Sequence, residues 1–386
     1  MTDTRIRYNG DFQDKEARIK VIGVGGGGGN AVNRMVEADI RMVEFISLNT
    51  DAQDLRRNKA ANRVQIGENL TKGLGVGGDP ARGRQAALES VDLIKEAVAD
   101  ADLIFITAGM GGGTGTGAAP VVAQTAKETS AALVIGVVTR PFEFEGTVRA
   151  GQADQGIHEM RKFVDSLLVI PNDRLRDIVN SDTAATEAYR IADDVLRQAI
   201  QGIADVITTA GIINVDFQDV RKIMTKSGEA LIGIGRASGE KRHLEAASKA
   251  IHSPMLENAV IDGAKGILVS FTSAKNLKLS EIQEAMEYIR KSSNPDAFIK
   301  FGQADDEAMG TDLKITVIAT GFPSRPKTDL SIDLERHRHK KRPRPGPDDD
   351  FFGNIGGPGL MNSVMPDEDL DRPAFMRRKA GSRKLK

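Results

Sequence analysis

The sequence lacks cysteine and tryptophan, and only 4% of its 386 residues are aromatic. Without cysteine the chain forms no disulfide and offers no thiolate for catalysis, which is consistent with a reducing cytoplasm. The shortage of aromatic side chains argues against the stacking surfaces that bind single-stranded nucleic acid. No apolar run reaches the ~20 residues that a membrane-spanning helix requires. We therefore expect a cytoplasmic protein that does not insert directly into membranes.

Formal charges nearly cancel, with 53 Lys and Arg against 54 Asp and Glu, but they are unevenly distributed. From Pro323 to the last residue there are 15 basic and 10 acidic residues, so the preceding part is net acidic. An acidic body with a basic tail is not typical of a general nucleic-acid binder. We expect no nucleic-acid partner.

Short β-rich segments alternate with helical patterns through the first half of the chain. Most of these strands are continuously apolar, which predicts an α/β fold with a doubly wound parallel sheet covered on both faces. The predicted strands are Ile19–Val24, Phe45–Asn49, Leu103–Thr107, Leu133–Thr139 and Leu167–Ile170, and the predicted helices include Ala31–Ala38 and Gln85–Ala99.

A long central helix follows, because apolar residues recur at three- or four-residue spacing from Ala188 to Val206. This spacing predicts about five turns with one buried stripe, ending near Gly211. The second half then predicts a smaller α+β domain. Its strands are Ala230–Arg236, Ile267–Thr272, Phe298–Phe301 and Leu313–Thr320, and its helices are Leu244–Ile251 and Leu279–Lys291.

The chain divides into six predicted parts. Residues 1–17 are a flexible arm, 18–185 the α/β domain, 186–221 the central helix with the loop after it, and 222–322 the α+β domain. Eight of the 14 prolines lie from Pro323 onward and few large apolar residues accompany them, so 323–366 is expected to be a disordered linker. A docking peptide with a basic end occupies 367–386.

Five consecutive glycines follow the first predicted strand, in the segment KVIGVGGGGGN that ends at Asn30. Glycine lets the backbone approach a ligand closely, and the helix predicted from Asn30 adds free N–H groups, so the segment predicts an anion cradle. Gly23, Gly25 and Gly28 also satisfy the dinucleotide pattern G-x-G-x-x-G, with Asp51 near the position of its ribose-binding acid. An NAD-dependent oxidoreductase with a Rossmann-type fold is therefore the alternative.

A second glycine-rich segment, LIFITAGMGGGTGTG, ends the strand that starts at Leu103 and precedes a helix predicted over Ala118–Lys127. Two anion cradles at neighbouring strand ends suit a polyphosphate, whereas a dinucleotide fold does not require the second. Residues 73–80, GLGVGGDP, form a third loop that could close over a terminal phosphate. No G-x-x-x-x-G-K-[ST] motif occurs, so backbone amides and Mg²⁺ are expected to neutralise the phosphates instead of a loop lysine.

The segment GGGTGTG at residues 111–117 resembles the signature of the tubulin/FtsZ family. Further matches at 25–30, 49–51, 141–149, 171–173 and 214–219 resemble its FtsZ branch, the bacterial cell-division GTPases, and the resemblance runs from about Ile19 to Phe322. It implies a GTP-binding domain, a central helix and a C-terminal domain that polymerise head to tail. By matching motif it implies nucleotide contacts for Gly26, Gly27, Gly28, Gly29, Asn30, Gly111, Gly112, Gly113, Thr114, Gly115, Thr116, Gly117, Glu145, Arg149, Asn172 and Asp194.

The resemblance assigns guanine recognition to Asp194. A carboxylate can accept hydrogen bonds from guanine N1–H and the amino group of the same base, and adenine presents no such pair of donors. The residue pattern taken alone equally suits a solvated acid beside the apolar stripe of the central helix.

Two acids follow the central helix in the segment NVDFQD. Asp216 and Asp219 lie three residues apart, on nearly one face if a helix begins there, although Asp216 equally suits a helix N-cap. The resemblance implies that Asn214, Asp216 and Asp219 enter the nucleotide site of the next subunit and act on the attacking water. The implied activity is assembly-activated hydrolysis of GTP to GDP and phosphate with Mg²⁺, and the implied role is a scaffold of the mid-cell division ring.

The C-terminal segment LDRPAFMRRK resembles the family's terminal peptide, with Arg372 where an apolar residue usually precedes the proline. Its apolar residues are expected to dock onto membrane-linked adaptors and division regulators. A single peptide should bind weakly, at about micromolar affinity, and a filament with many tails should bind strongly through avidity. The docking residues are Leu370, Pro373, Phe375 and Met376.

We predict that Phe375→Ala abolishes adaptor binding and leaves polymerisation and GTP hydrolysis intact, because it removes the largest apolar side chain of the peptide. Co-sedimentation with adaptors and a phosphate-release assay measure the two effects. The competing hypothesis is a basic tail that binds anionic lipid. It would be favoured if Phe375→Ala had no effect while deletion of 383–386 released the protein from anionic vesicles.

Overall fold

The computed structural model describes residues 17–177, 183–208, 213, 215–256 and 261–322. These ranges contain ten strands, and all nine of the predicted strands are among them. They are β1 (Ile19–Val24), β2 (Val43–Asn49), β3 (Asn62–Gln65), β4 (Leu103–Gly109), β5 (Leu133–Arg140), β6 (Ser166–Pro171), β7 (Gly228–Ala237), β8 (Gly266–Ser273), β9 (Phe298–Asp305) and β10 (Leu313–Thr320).

Helices lie between most of the strands, as predicted for a chain of alternating elements. They are α1 (Gly25–Glu37), α2 (Ala52–Arg57), α3 (Glu68–Thr71), α4 (Pro80–Glu89), α5 (Val91–Val98), α6 (Gly113–Thr129), α7 (Thr147–Met160), α8 (Ala185–Thr208), α9 (Phe217–Met224), α10 (Arg242–Ile251) and α11 (Leu279–Lys291). None of the helices within the described ranges is long and apolar enough to cross a membrane.

The ten strands form one sheet in the order β3-β2-β1-β4-β5-β6-β7-β10-β8-β9. Strands β1 to β6 are parallel, which confirms the predicted doubly wound α/β fold. Strand β10 runs antiparallel between β7 and β8, so the second half of the sheet is mixed. The two halves meet where Ser166, Leu167 and Leu168 of β6 pair with the first residues of β7.

Apolar cores lie on both faces of the parallel half, which explains why its strands are continuously apolar. One core packs α1 and α8 against the sheet, and the other packs α4, α5 and α6 against the opposite face. The stripe predicted for the central helix is buried, with Val195, Ala199, Ile203 and Val206 all in the first core. A third core lies between the second-half strands and α10 and α11. Gly211, the predicted end of α8, lies outside the described residues.

Both helices that follow glycine-rich segments begin five or six residues earlier than predicted, α1 at Gly25 and α6 at Gly113. The low helix propensity of glycine suggested a loop at both places. Close backbone contacts override that propensity, since a Cβ on Gly28 would lie 2.4 Å from the carbonyl oxygen of Thr107. Tertiary packing therefore converts both predicted loops into the first turns of helices.

The helix predicted over Gln85–Ala99 is divided into α4 and α5 by a break at Ser90. The hydroxyl oxygen of Ser90 accepts a hydrogen bond from the backbone N–H of Gly67 at 2.9 Å. Ser90 thus ties the break to the chain segment before α3, a contact between residues 23 positions apart that local sequence does not encode.

Helix α4 packs directly on α6 and holds residues 73–80 beside the start of α6. A Cβ on Gly117 would lie 2.1 Å from the carbonyl oxygen of Pro80 and 2.6 Å from the backbone nitrogen of Arg84. We predict that Gly117→Ala lowers the free energy of unfolding by about 1–3 kcal/mol through overpacking. The matched control is Gly151→Ala in α7, where a Cβ meets nothing within 4 Å.

Gly151→Ala should instead raise the free energy of unfolding by about 0.5–1 kcal/mol, because alanine favours the helix interior more than glycine. Urea denaturation followed by circular dichroism measures both variants. Equal stability of the two variants would contradict the proposed helix contact.

Candidate functional site

A cavity of about 380 Å³ opens at the carboxyl ends of β1, β4 and β5. Ten of the residues assigned to the nucleotide by sequence line it. They are Gly26, Gly27, Asn30, Gly112, Gly113, Thr114, Gly115, Glu145, Arg149 and Asn172. The structure therefore brings together residues from four separate segments of the chain at the sheet edge where α/β folds bind ligands.

The starts of α1 and α6 lie side by side at the base of the cavity. A Cβ on Gly25 would come within 2.9 Å of the backbone nitrogen of Gly115, and one on Gly27 within 3.1 Å of the backbone nitrogen of Gly109. The first N–H groups of each helix have no partner within the helix, and each helix dipole places partial positive charge there. Two adjacent helix starts of this kind can bind the charge of a polyphosphate.

Five glycine-segment residues assigned to the nucleotide by sequence do not line the cavity, and the structure gives most of them packing roles. Gly28 and Gly117 make the close backbone contacts described above, and a Cβ on Gly29 would lie 3.1 Å from Nδ2 of Asn58. Gly111 has a φ of +97°, and its backbone N–H donates to Oγ1 of Thr116 at 2.8 Å. These residues shape the two helix starts, and their neighbours contact the cavity.

The 73–80 loop lies against the second glycine segment. A Cβ on Gly113 would lie 2.5 Å from Cγ2 of Val76, and the hydroxyl groups of Thr50 and Thr114 are 2.7 Å apart. Asp79 ends the loop as the N-cap of α4, where its carboxylate accepts from the backbone N–H of Ala81 at 2.8 Å. The contacts of Val76 and Asp79 thereby hold the loop next to the cavity.

Glu145 and Arg149 form an ion pair of 2.8 Å at the cavity wall. The backbone N–H of Phe142 donates to the other oxygen of Glu145 at 2.9 Å, so the acid is held in place from two sides. Asn172 is buried beside this pair, and its side-chain oxygen has no hydrogen-bond donor among the described residues. A ligand N–H or O–H in the cavity can supply that donor.

Helix α8 presents Asp193 to the cavity, whereas the sequence-based assignment was Asp194. Adjacent helical residues point about 100° apart, so only one of the two acids can face the ligand. The carboxylate of Asp194 faces away and accepts from Nε of Arg197 at 2.6 Å and from Nε2 of Gln198 at 2.6 Å. The cavity is therefore lined by Asp193 and not by Asp194.

Burial raises the pKa of the Asp193 carboxyl to about 7, and the nearby charge of Arg34 only partly opposes this shift. Tyr189 lies one helical turn before Asp193, also lines the cavity, and packs edge-on against the ring of Phe142 at 5.4 Å between centroids. Their spacing of four residues is the signal in the sequence that identifies both residues as one face of α8.

The segment after α8 lies away from the cavity. Asp216 is the N-cap of α9, and its carboxylate accepts from the backbone N–H of Gln218 at 3.1 Å. Asp219 lies in the first turn of α9, with one oxygen 2.8 Å from Nζ of Lys300. Asn214 lies outside the described residues.

Helix α8 separates the cavity from these acids. From Asp193 to the end of α8 at Thr208 the helix advances about 22 Å, at 1.5 Å per residue. The acids lie beyond that end, so within one subunit they do not reach a ligand in the cavity.

The chain matches two family models. Residues 18–180 match the GTPase domain of the Tubulin/FtsZ family, and residues 228–323 match the C-terminal domain of the FtsZ family. Neither match supports the alternative of a dinucleotide-dependent oxidoreductase.

Solved structures similar to this chain include proteins from M. jannaschii and Haloferax volcanii. An FtsZ dimer from M. jannaschii is 42% identical, with 80% of this chain and 89% of that chain covered and a TM-score of 0.77. CetZ1 from Haloferax volcanii, a GDP-bound monomer, shares the fold at 23% identity, with 83% and 99% covered and a TM-score of 0.71. A GTPgS-bound protofilament of CetZ2 from the same organism is 20% identical, with 83% and 97% covered and a TM-score of 0.69.

The cavity at the glycine-rich helix starts, the order of the two matched domains and the 42% identity lead to one conclusion. This chain belongs to the tubulin/FtsZ family of GTPases.

Proposed function

We propose that the protein hydrolyses GTP at a site completed by a second copy, and that it assembles head to tail. The observation that carries this proposal is the separation of the cavity from Asp216 and Asp219 by the length of α8. A head-to-tail contact would place the acids of one subunit over the cavity of the next. The FtsZ dimer and the CetZ2 protofilament among the similar structures support such self-association.

We propose that the phosphates of GTP bind at the starts of α1 and α6 and that the guanine base contacts Asp193. The carboxylate of Asp193 would accept from N1–H and the amino group of guanine. Asn172 can accept a further ligand donor through its unpaired side-chain oxygen. Arg149 would contribute positive charge, although its pairing with Glu145 reduces that contribution.

Mg²⁺ fits this site as an ion carried mainly by the nucleotide. Among the described residues no group of three His, Cys, Asp or Glu side chains is arranged to hold a metal. Mg²⁺ commonly binds through phosphate oxygens and water with one or two carboxylates, so such a cluster is not required. The ion would neutralise charge on the phosphates, and the protein residues would position the nucleotide.

In the proposed reaction a water oxygen forms a bond to the γ-phosphorus, and the bond from that phosphorus to the β–γ bridging oxygen breaks. The products are GDP and inorganic phosphate. Asp216 and Asp219 of the neighbouring copy would orient the water and accept its hydrogen bonds, with Asn214 beside them. Phosphoryl transfer depends mainly on positioning and charge stabilisation, so these few residues suffice.

We further propose that the polymer serves as a cytoskeletal scaffold, and that its role is the mid-cell division ring. The match to the FtsZ C-terminal domain supports this assignment over a metabolic GTPase. The adaptor-docking residues from Leu370 to Met376 lie outside the described residues, and their role remains the sequence-based proposal stated above.

Asp193→Ala should weaken GDP binding by about 1.5–3 kcal/mol, the value of hydrogen bonds to a charged group. Asp194→Ala is the matched control and should bind GDP nearly as the native protein does, because Asp194 does not line the cavity. Isothermal titration calorimetry measures both. A larger loss for Asp194→Ala than for Asp193→Ala would contradict the assignment of the base-binding acid.

The same assignment predicts a pH dependence. The pKa of Asp193 is raised to about 7, so the carboxyl is largely protonated below that pH and cannot accept from both guanine donors. GDP affinity should therefore rise between pH 6 and pH 8 in the native protein, as the ionised form becomes populated. Asp193→Asn should show a nearly flat profile across this range.

Asp216→Ala and Asp219→Ala should each retain GTP binding and lose most turnover, by about 100-fold or more. Native turnover per subunit should rise above a critical protein concentration, since the site requires two copies. Phosphate release measured across a dilution series tests this dependence. Turnover per subunit that stays constant down to the monomer would show that one copy suffices.

A further inference from the structure

Strand β9, at the edge of the sheet, contacts the segment that carries the two acids along one face. Phe298, Lys300 and Gly302 share that face, because alternate residues of a strand point the same way. A Cβ on Gly302 would lie 3.1 Å from Cγ2 of Val215. Nζ of Lys300 is 2.8 Å from Asp219, and Nζ of Lys222 lies 4.2 Å from the ring centroid of Phe298.

These three contacts follow one another in register. Moving along β9 from residue 298 to 302, the contacted residues run backward through 222, 219 and 215. The acid-bearing segment therefore lies antiparallel to β9 and is aligned with it. Gly302 lets the chain before Asp216 approach the strand, while Phe298 receives the other end of α9. Lys300 is the one position of the three that contacts an acid.

Asp219 occupies the third residue of α9, counted after the N-cap Asp216. A carboxylate at this position is attracted to the free N–H groups of the first helical turn. The ammonium group of Lys300 instead holds one carboxylate oxygen on the side of the strand. Both side chains keep part of their surface exposed, 37% for Lys300 and 30% for Asp219, so the ion pair lies at the protein surface.

Lys300 also affects the charge of the shared site. Arg149 is the one Lys or Arg among the described residues that line the cavity, and it is already paired with Glu145. When a second subunit brings Asp216 and Asp219 toward a polyphosphate, their carboxylates and the phosphates repel each other. A cation fixed 2.8 Å from Asp219 offsets part of that repulsion.

We propose that Lys300 is a positioning residue for GTP hydrolysis, which fixes Asp219 in the orientation used in the neighbouring subunit's site. This inference rests on the proposed function, and it adds a residue that lies 81 positions after Asp219. Lys300 acts through Asp219 and does not itself contact the reacting atoms.

The test compares Lys300→Met with Lys222→Met in the full chain. Both changes remove one lysine charge beside the ring of Phe298, but only Lys300 contacts Asp219. Lys300→Met should lower turnover per assembled subunit by about tenfold, since small misplacements of catalytic groups have effects of this size. The KM for GTP and the critical concentration should stay within about twofold of native. Lys300→Arg should recover most of the turnover, and Lys222→Met should behave as native.

A double-mutant cycle with Asp219→Asn completes the experiment. If Lys300 acts through Asp219, then Lys300→Met should change turnover little in the Asp219→Asn background, because the two effects are coupled. Thermal unfolding of each variant verifies that it folds. If Lys300→Met does not fold, Lys300→Gln replaces it in the same measurements.

Three outcomes would overturn the inference. Lys300→Met could turn over GTP as fast as Lys222→Met. Alternatively, the fold-loss in turnover of the double variant could equal the product of the losses caused by Lys300→Met and Asp219→Asn alone. Lys300→Met could also raise only the critical concentration, which would make Lys300 an assembly contact. A failure of the proposed function is distinct from all three, because the native protein would then show no concentration-dependent turnover.

Discussion

Direct backbone contact between two glycine-rich helix starts is the constraint on which the cavity depends. Gly25 and Gly27 at the start of α1 lie so close to Gly115 and Gly109 that added Cβ atoms would fall about 3 Å from their backbone nitrogens. This approach places two sets of unpaired N–H groups and two helix dipoles at one point. A phosphate-binding surface of this kind needs no lysine, which agrees with the absence of a G-x-x-x-x-G-K-[ST] motif from the sequence.

Helix α8 connects the cavity to the segment that carries Asp216 and Asp219. One of its faces is buried in the core beneath the sheet, and its Tyr189 and Asp193 reach the cavity. Its far end leads into the acid-bearing segment, which is in turn aligned on β9. The spacing between nucleotide cavity and acids is therefore set by a packed helix. A spacing of this kind supports the proposal that the reaction requires a neighbouring subunit.

Hydrogen bonds and ion pairs fix the orientation of the acids at both ends of α8. Arg197 and Gln198 hold Asp194 away from the cavity, Arg149 holds Glu145 at its wall, and Lys300 contacts Asp219. Asp193 differs because burial raises its pKa to about 7. A carboxyl that is costly to ionise when buried is well suited to a ligand that donates two hydrogen bonds to it. In the proposed complex the two guanine donors would favour the ionised carboxylate, whereas burial without a ligand disfavours it.

Sequence patterns alone were enough to predict the alternation of strands and helices, the doubly wound parallel sheet, the two glycine segments and most of the cavity lining. These features follow from apolar periodicity and from residue types with special backbone freedom, which are local properties. Tertiary structure decided where α1 and α6 begin, because backbone contacts between distant segments outweigh the low helix propensity of glycine. It also decided that Asp193 and not Asp194 faces the cavity, and that Lys300 meets Asp219. Neighbouring acids on a helix differ only in rotation, and a strand residue 81 positions away becomes a partner only when the sheet is assembled.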